Sequence, residues 1–228
     1  DKIKSYVYIL KSGNFSKILL DDKAPKEFLK FEHNHFKSKL ENTFSHNVKE
    51  FPLQSLEIEK IGRETIIETH KSQDYIDWRY NKHPFFHYYW SGVRMNSKLI
   101  AWFAWRKAEL NGINLCRIVD FDIVDYRKSY IDKLDDLIEQ IICFSDKLNC
   151  HYVDCYTTNT ILINRLINHG FDDNDQYKLP NLIDPVERRL DLNGEFYVGG
   201  NHKKNNNYNI WLYRGDGDQD RINESIWK

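Results

Sequence analysis

The sequence predicts a mixed α/β (α+β) fold with a mostly antiparallel central sheet flanked by helices. Three observations predict it. Asn111-Gly112 lies between two long apolar runs, an amphipathic stripe extends from Ser129 to Leu148, and a strand, helix and glycine stop follow from His151 to Phe171. The first signals a hairpin, the second a helix lying on the sheet, and the third a further strand returned by its own helix.

Taken in order, the run Tyr6 to Leu10 reads as a strand. Pro25 stands where a helix can begin, and Phe28, Leu29, Phe36 and Leu40 form a loose helical stripe behind it. Residues 1–71 show no strong core of their own. They read as a partly helical N-terminal arm, a linker from a preceding domain, with the main domain over 72–228. Ser72 suits the N-cap of a brief helix through Tyr75, Trp78, Arg79 and Tyr80. That helix should end before His83-Pro84, because a residue preceding proline is pushed out of helical geometry.

Three strands should follow. The first runs from about Phe86 to Arg94 and turns at Asn96-Ser97. The second, Leu99 to Glu109, puts Trp102 and Ala104 on one face and Ala101, Phe103 and Trp105 on the other, as a central strand requires. Asn111-Gly112 supplies the left-handed conformations of a two-residue turn into the third, Leu115 to Val124. From Ser129, residues Ile131, Leu134, Ile138, Ile141 and Leu148 recur at spacings near three and four with charges between them. His151 to Tyr156 is a strand, Thr158 or Asn159 can cap a helix through Leu162, Leu166 and Ile167, and Gly170 fits a left-handed stop. A last strand is expected over Asn209 to Tyr213.

Composition narrows function. With 33 basic and 34 acidic residues the formal charge is −1, so no global field draws the chain onto nucleic acid or an anionic membrane. No run approaches the roughly 18 apolar residues of a membrane helix. The opening Asp1-Lys2-Ile3-Lys4 resembles neither a signal peptide nor an initiator methionine, so the chain reads as a piece of something longer. Cys116, Cys143, Cys150 and Cys155 form no CxxC pair and read as reduced, mostly buried thiols, which favours the cytoplasm.

Over Ser72 to Tyr213 this order of elements resembles the GNAT superfamily of acyltransferases. Asn159 followed by a helix ending in Gly170-Phe171 looks like that family's asparagine at the exit of its fifth strand and its Gly-Phe helix stop. Tyr75-Ile76-Asp77-Trp78-Arg79-Tyr80 with His83-Pro84 and Tyr88, then Ile118-Val119-Asp120, looks like the C-terminal half of bacterial proteins with two GNAT-like halves, some found with surface-polysaccharide biosynthesis. The resemblance implies acyl transfer, by this chain or with it as the acceptor-binding half, from an acyl-CoA co-substrate, acetyl-CoA in the simplest case, to an amino sugar, nucleotide sugar or other small amine; the alternative is a non-catalytic GNAT-like module that binds a saccharide or a partner protein. The resemblance also implies pairing with a preceding GNAT-like half or a second copy. Asn159, Arg127 and Lys128 are then the cofactor-binding candidates.

Two departures bear on catalysis. The family's glycine-rich turn, whose N–H groups bind the pyrophosphate of acyl-CoA, is replaced by Asp125-Tyr126-Arg127-Lys128-Ser129-Tyr130-Ile131-Asp132, with no glycine. Side chains at Lys128 and Tyr130 obstruct close backbone approach, although Arg127 and Lys128 can still meet phosphate as charges. Leu166 stands where many members carry a tyrosine that protonates the departing thiolate.

Asp120 and Asp122 are the catalytic candidates. Two apart on a strand, they face one side about 6–7 Å from each other. In the resembled family a carboxylate here serves as the base for the acceptor amine, beside a strand bulge whose N–H groups face the thioester oxygen. A structural carboxylate bonded to backbone, Arg117 or Arg127 is the competing account. Trp78, Arg79 and Tyr80 are acceptor-binding candidates against a reading as a helix anchored by aromatics. The block Phe85 to Trp90 with Trp102 and Trp105 fits core better than a sugar clamp. Pro84 prevents a helix from aligning His83 with His87, so no metal site is expected there. Asp216, Asp218 and Asp220 open like a calcium loop, but Arg221 and Trp227 occupy its glycine and final carboxylate positions. That leaves a hydrogen-bonded turn, or acceptor binding by Asp216 and Asp218, since similar endings occur in the resembled proteins.

Overall fold

The computed structural model describes residues 2–10, 66–84, 86–96, 98–110, 113–124, 126–173, 192–193 and 209–213. The helical stripe after Pro25, Asn111-Gly112, and the stretch holding Asp216, Asp218 and Asp220 lie outside them.

The meander forms the backbone of the fold. β3 (Tyr89–Met95), β4 (Lys98–Leu110) and β5 (Ile113–Ile123) pair antiparallel in sequence order. Leu110 stands opposite Ile113, so two residues join β4 to β5, as an Asn-Gly turn allows. Asn96, at the end of β3, has the positive φ of 50° that asparagine tolerates. The apolar alternation of β4 divides two cores. Ala101, Phe103 and Trp105 enter the larger one, while Trp102 and Ala104 join Ile76, Tyr80, Tyr88 and Val119 on the opposite face.

The larger core is closed by helices. The stripe after Ser129 folds as α2 (Lys128–Ile131) and α3 (Lys133–Lys147). It is stepped at Asp132, whose ψ of −21° tightens the chain. Leu134, Leu137, Ile138 and Ile141 are buried, each removal from water contributing roughly 2 kcal/mol. Ser145 is buried on the same stripe because its hydroxyl donates to the Ile141 carbonyl at 2.6 Å. β6 (Tyr152–Thr157) then runs parallel to β5, and α4 (Thr160–Asn168) adds Leu162 and Leu166 to the core. α4 ends in a Schellman arrangement: Phe171 N–H donates to the Leu166 carbonyl and Gly170 N–H to that of Ile167, both at 3.0 Å. Gly170 has φ +84° and Phe171 packs back into the core.

Two placements differ from the sequence expectation. The run assigned to the N-terminal arm is β1 (Lys2–Ile9), and it lies inside the sheet, antiparallel to β6, with Tyr6 and Val7 buried. The sheet order is β3-β4-β5-β6-β1-β7, with β7 (Asp172–Asp173) on the far side of β1 and β8 (Leu192–Asn193) also pairing with β1. Of the run expected as a last strand, Asn209 to Tyr213, the first two residues form β9 (Asn209–Ile210), which pairs parallel with β2 (Ile66–Ile67) in a separate two-stranded sheet. Among the described residues, the segment after β9 meets the large sheet at the Thr157–Tyr213 bridge. β1 already holds the sheet edge of β6 that a long C-terminal strand could have taken.

Substituting Gly170→Ala should lower stability by about 1–2 kcal/mol in urea unfolding, because φ +84° strains any residue with a Cβ. An unchanged midpoint would show that the helix stop does not hold this conformation.

Candidate functional site

A bulge in β5 builds the site. Trp105 stands opposite Ile118 and Ala104 opposite Asp120, so Val119 is an extra residue on β5. The extra residue turns Val119 and Asp120 to the same face, under a short helix. That helix, α1 (Gln73–Ile76), starts at Ser72, whose Oγ accepts from the Tyr75 N–H at 3.2 Å. It continues as one π-helical turn, Asp77–Asn81, closed by Lys82 N–H donating to the Asp77 carbonyl at 2.8 Å. The wider turn lets Ile76, Arg79 and Tyr80 all face the protein while Trp78 points out.

Asp120 is wholly buried, held by two hydrogen-bond donors and paired with one ammonium. The Tyr80 hydroxyl donates to Oδ2 at 2.6 Å, the Phe121 N–H donates to Oδ1 at 2.8 Å, and Lys71 Nζ lies 3.3 Å from Oδ1. Lys71 is buried as well, so the pair exchanges two hydrated charges for each other and for polar contacts around them. Burial, and after it the Asp120 charge, pushes the Tyr80 phenol well above its ordinary pKa, which keeps it protonated as a donor.

Lys71 Nζ also stands 4.5 Å above the ring of Tyr213. Tyr213 lies in the fork between β5 and β6. Their parallel pairing ends at Ile118 opposite Cys155, although the strands continue to Ile123 and Thr157. Lys4 of β1 pairs with Thr157 on one side, so the Thr157–Tyr213 bridge occupies the side toward β5. There the Tyr213 ring is buried, 6.1 Å from that of Phe121. Thr158 fastens the segment: its N–H donates to the Leu212 carbonyl at 3.1 Å, and its Oγ1 accepts from the Leu212 N–H at 2.8 Å.

Asn159 completes the network. Its Oδ1 accepts from the N–H groups of Ile161 and Leu162, both at 3.0 Å, and its Nδ2 donates to the Tyr213 hydroxyl at 2.8 Å. Burial raises the Tyr213 phenol well above its ordinary pKa, with Tyr126 and Glu68 adding to the rise and Asn159 opposing it. One asparagine therefore caps α4 and fixes the residue that fills the fork.

No protein-family model matches this chain, and no curated protein matches it.

The sequence candidates are dispersed by the fold. Asp120 is at the centre. Asp122 shares its face, opposite Trp102, and accepts from the Ile123 N–H at 2.8 Å. Asn159 is buried and bonded on both sides of its amide. Arg127 precedes α2 in solvent, its guanidinium 5.2 Å from the Tyr130 ring, and Lys128 is exposed beside it. Trp78 is 68% exposed, whereas Arg79 and Tyr80 are buried, Arg79 donating to the Tyr88 hydroxyl at 3.3 Å. Arg117, a suggested partner of Asp120, instead forks onto Asp154 of β6 with Nε at 2.9 Å. His83 accepts the Phe86 N–H at 3.0 Å and His87 is exposed. Among the described residues no three His, Cys, Asp or Glu side chains gather as metal ligands, and no helix is long and apolar enough to cross a membrane.

Sequence reading missed Lys71 and Tyr213. A lone lysine ahead of an N-cap carries no pattern, and only the closed fold shows that it meets Asp120.

Two results are expected. Asp120→Asn leaves the Lys71 charge buried without its partner and should cost about 3–5 kcal/mol of stability, and adding Lys71→Met should cost less than the sum of the two single changes. Strict additivity would show that the pair is not coupled. In alkali, Tyr80 and Tyr213 hold their protons above the ordinary value of 10.0 while the unfolded chain loses them. Their contribution is therefore complete below about pH 10 and declines as pH rises toward the folded values. The denaturation midpoint should fall above pH 10, and Tyr80→Phe combined with Tyr213→Phe should make that fall shallower; an unchanged slope would contradict the assignment.

Proposed function

We propose that this chain is a GNAT-like recognition module that binds an acceptor, a saccharide above all, and does not carry out acyl transfer by itself. The observation that carries the reading is the filled fork: Tyr213 occupies the space between β5 and β6 where the resembled family holds acyl-CoA. The carboxylate next to it supports the same reading. A general base must be reached by the acceptor amine, and Asp120 is wholly buried and engaged by Lys71, Tyr80 and Phe121. The segment before α2, with exposed Arg127 and Lys128, offers no glycine for backbone approach to a pyrophosphate. On this reading Asp120 and Asn159 are structural, and any acyl transfer takes its CoA site from another GNAT-like half. Four free thiols and a net charge of −1 support a cytoplasmic setting for the module.

A second reading, an acyl-CoA-dependent N-acyltransferase, is favoured by one feature. The bulge at Val119 sits beside Asp120, where the family's oxyanion donors and base belong. It requires Tyr213 to leave the fork and Asp120 to part from Lys71.

Calorimetry with acetyl-CoA separates the two. The module reading predicts no affinity tighter than about 10⁻⁴ M, equivalent to about −5.5 kcal/mol. A micromolar constant would overturn it in favour of the enzyme.

A further inference from the structure

The π-helical turn presents to solvent a surface that the buried network does not use. Trp78 is the most exposed large apolar side chain among the described residues, at 68%, while its neighbours Ile76, Arg79 and Tyr80 are buried. An indole face left in water forgoes a large burial energy, and flat aromatic faces of this kind suit the C–H face of a sugar ring. The platform is also rigid. Tyr80, two residues on, is bonded to Asp120, and the Tyr75 ring supports the indole from 6.1 Å away. Single π turns occur frequently at functional sites.

The residue before Trp78 gathers polar groups on the same turn. Asp77 Oδ1 receives the side-chain amides of Asn81 at 2.7 Å and Gln73 at 3.0 Å. Those bonds, Asn81 first, hold the Asp77 carboxyl below its usual range, so it remains an anionic acceptor. Each amide gives one N–H to Asp77 and keeps its carbonyl oxygen, an acceptor, and its second N–H for a ligand. Asp74, on the preceding turn, is exposed too. Lys82, the residue that follows the π turn, is exposed and lies 3.9 Å from Asp77 Oδ2. Arg79, the guanidinium that would have met a phosphate or carboxylate, points inward to Tyr88.

We infer that the face formed by Trp78, Asp77, Asn81 and Gln73 is a pyranose-binding platform that takes neutral or amino-bearing sugars through stacking and hydroxyl or ammonium donation, and discriminates against anionic ones. The inference rests on the recognition-module reading and names its ligand class. Hydroxyl and ammonium groups donate to the Asp77 carboxylate and the amide carbonyls, while a nucleotide sugar's diphosphate would be repelled by the charges of Asp74 and Asp77.

The test is a titration of the 228-residue chain, labelled on indole nitrogen, with glucosamine, the disaccharide of N-acetylglucosamine, and uridine diphosphate. The expected result is saturable movement of the Trp78 indole resonance with the two sugars and none with uridine diphosphate. Trp78→Ala should weaken disaccharide binding about tenfold or more, Trp78→Phe should retain part of it, and Asp77→Asn should weaken glucosamine more than the disaccharide. Because Trp78 is exposed, the melting temperature should not change in Trp78→Ala, which separates loss of the platform from loss of fold. No saccharide response, a response that survives Trp78→Ala, or a Trp78-dependent self-association in sedimentation would overturn the inference. Tight acetyl-CoA binding with disaccharide binding intact would overturn the module reading alone; disaccharide binding that survives Trp78→Ala, with weak acetyl-CoA binding, would overturn this inference alone.

Discussion

A carboxylate on an interior strand has to be neutralised, and the way Asp120 is neutralised shapes the rest of this site. Left alone, its burial would cost several kcal/mol or drive it to take up a proton. The chain meets the constraint from three directions: the strand supplies the Phe121 N–H, the π turn supplies the Tyr80 hydroxyl, and the segment ahead of Ser72 supplies the Lys71 ammonium. Each tie fixes an element. Tyr80 sets the π turn against the sheet, and Lys71 draws the 66–71 segment down beside Tyr213.

The same network explains why the fork between β5 and β6 is closed. Parallel strands that stop pairing leave backbone groups and apolar walls to be covered. Here Tyr213 covers them, held by Asn159, Thr157 and Thr158. Asn159 must also cap α4, so the end of the sheet, the start of the helix and the plug are coupled through one side chain. Such coupling stabilises a binding scaffold well. It serves less well where a co-substrate must enter and leave the same space.

Much of the fold was legible because its signals are local. The two-residue hairpin, the stripe of Leu134, Ile138 and Ile141, the Ser72 and Asn159 caps and the Gly170 stop each follow from a few adjacent residues. The place of β1 was not legible: the run Tyr6 to Leu10 announces a strand, but nothing in its period states that it will lie between β6 and β7. For the same reason the run 209–213 reads as a strand, but nothing in it states that it pairs with β2 and not within the large sheet. Of the site, Asp120 could be singled out because an acidic residue in an apolar run is anomalous. Lys71 could not, since surface lysines are common and its burial depends on a pairing 49 residues away in sequence. Trp78, Arg79 and Tyr80 formed one group on paper. Only the π turn separates the exposed indole from its two buried neighbours.

The central claim is that the segment ending at Tyr213 is part of the folded core and not a door. Amide hydrogen exchange at Thr158 and Leu212 tests it most directly, because each N–H is bonded across the fork, to the Leu212 carbonyl and to Thr158 Oγ1. If the fork is permanently filled, both amides exchange as slowly as the buried amide of Phe121 in β5, through global unfolding, and acetyl-CoA leaves their rates unchanged. Exchange many-fold faster than that of Phe121, or rates that move when acetyl-CoA is added, would show that the segment opens independently and would contradict the account.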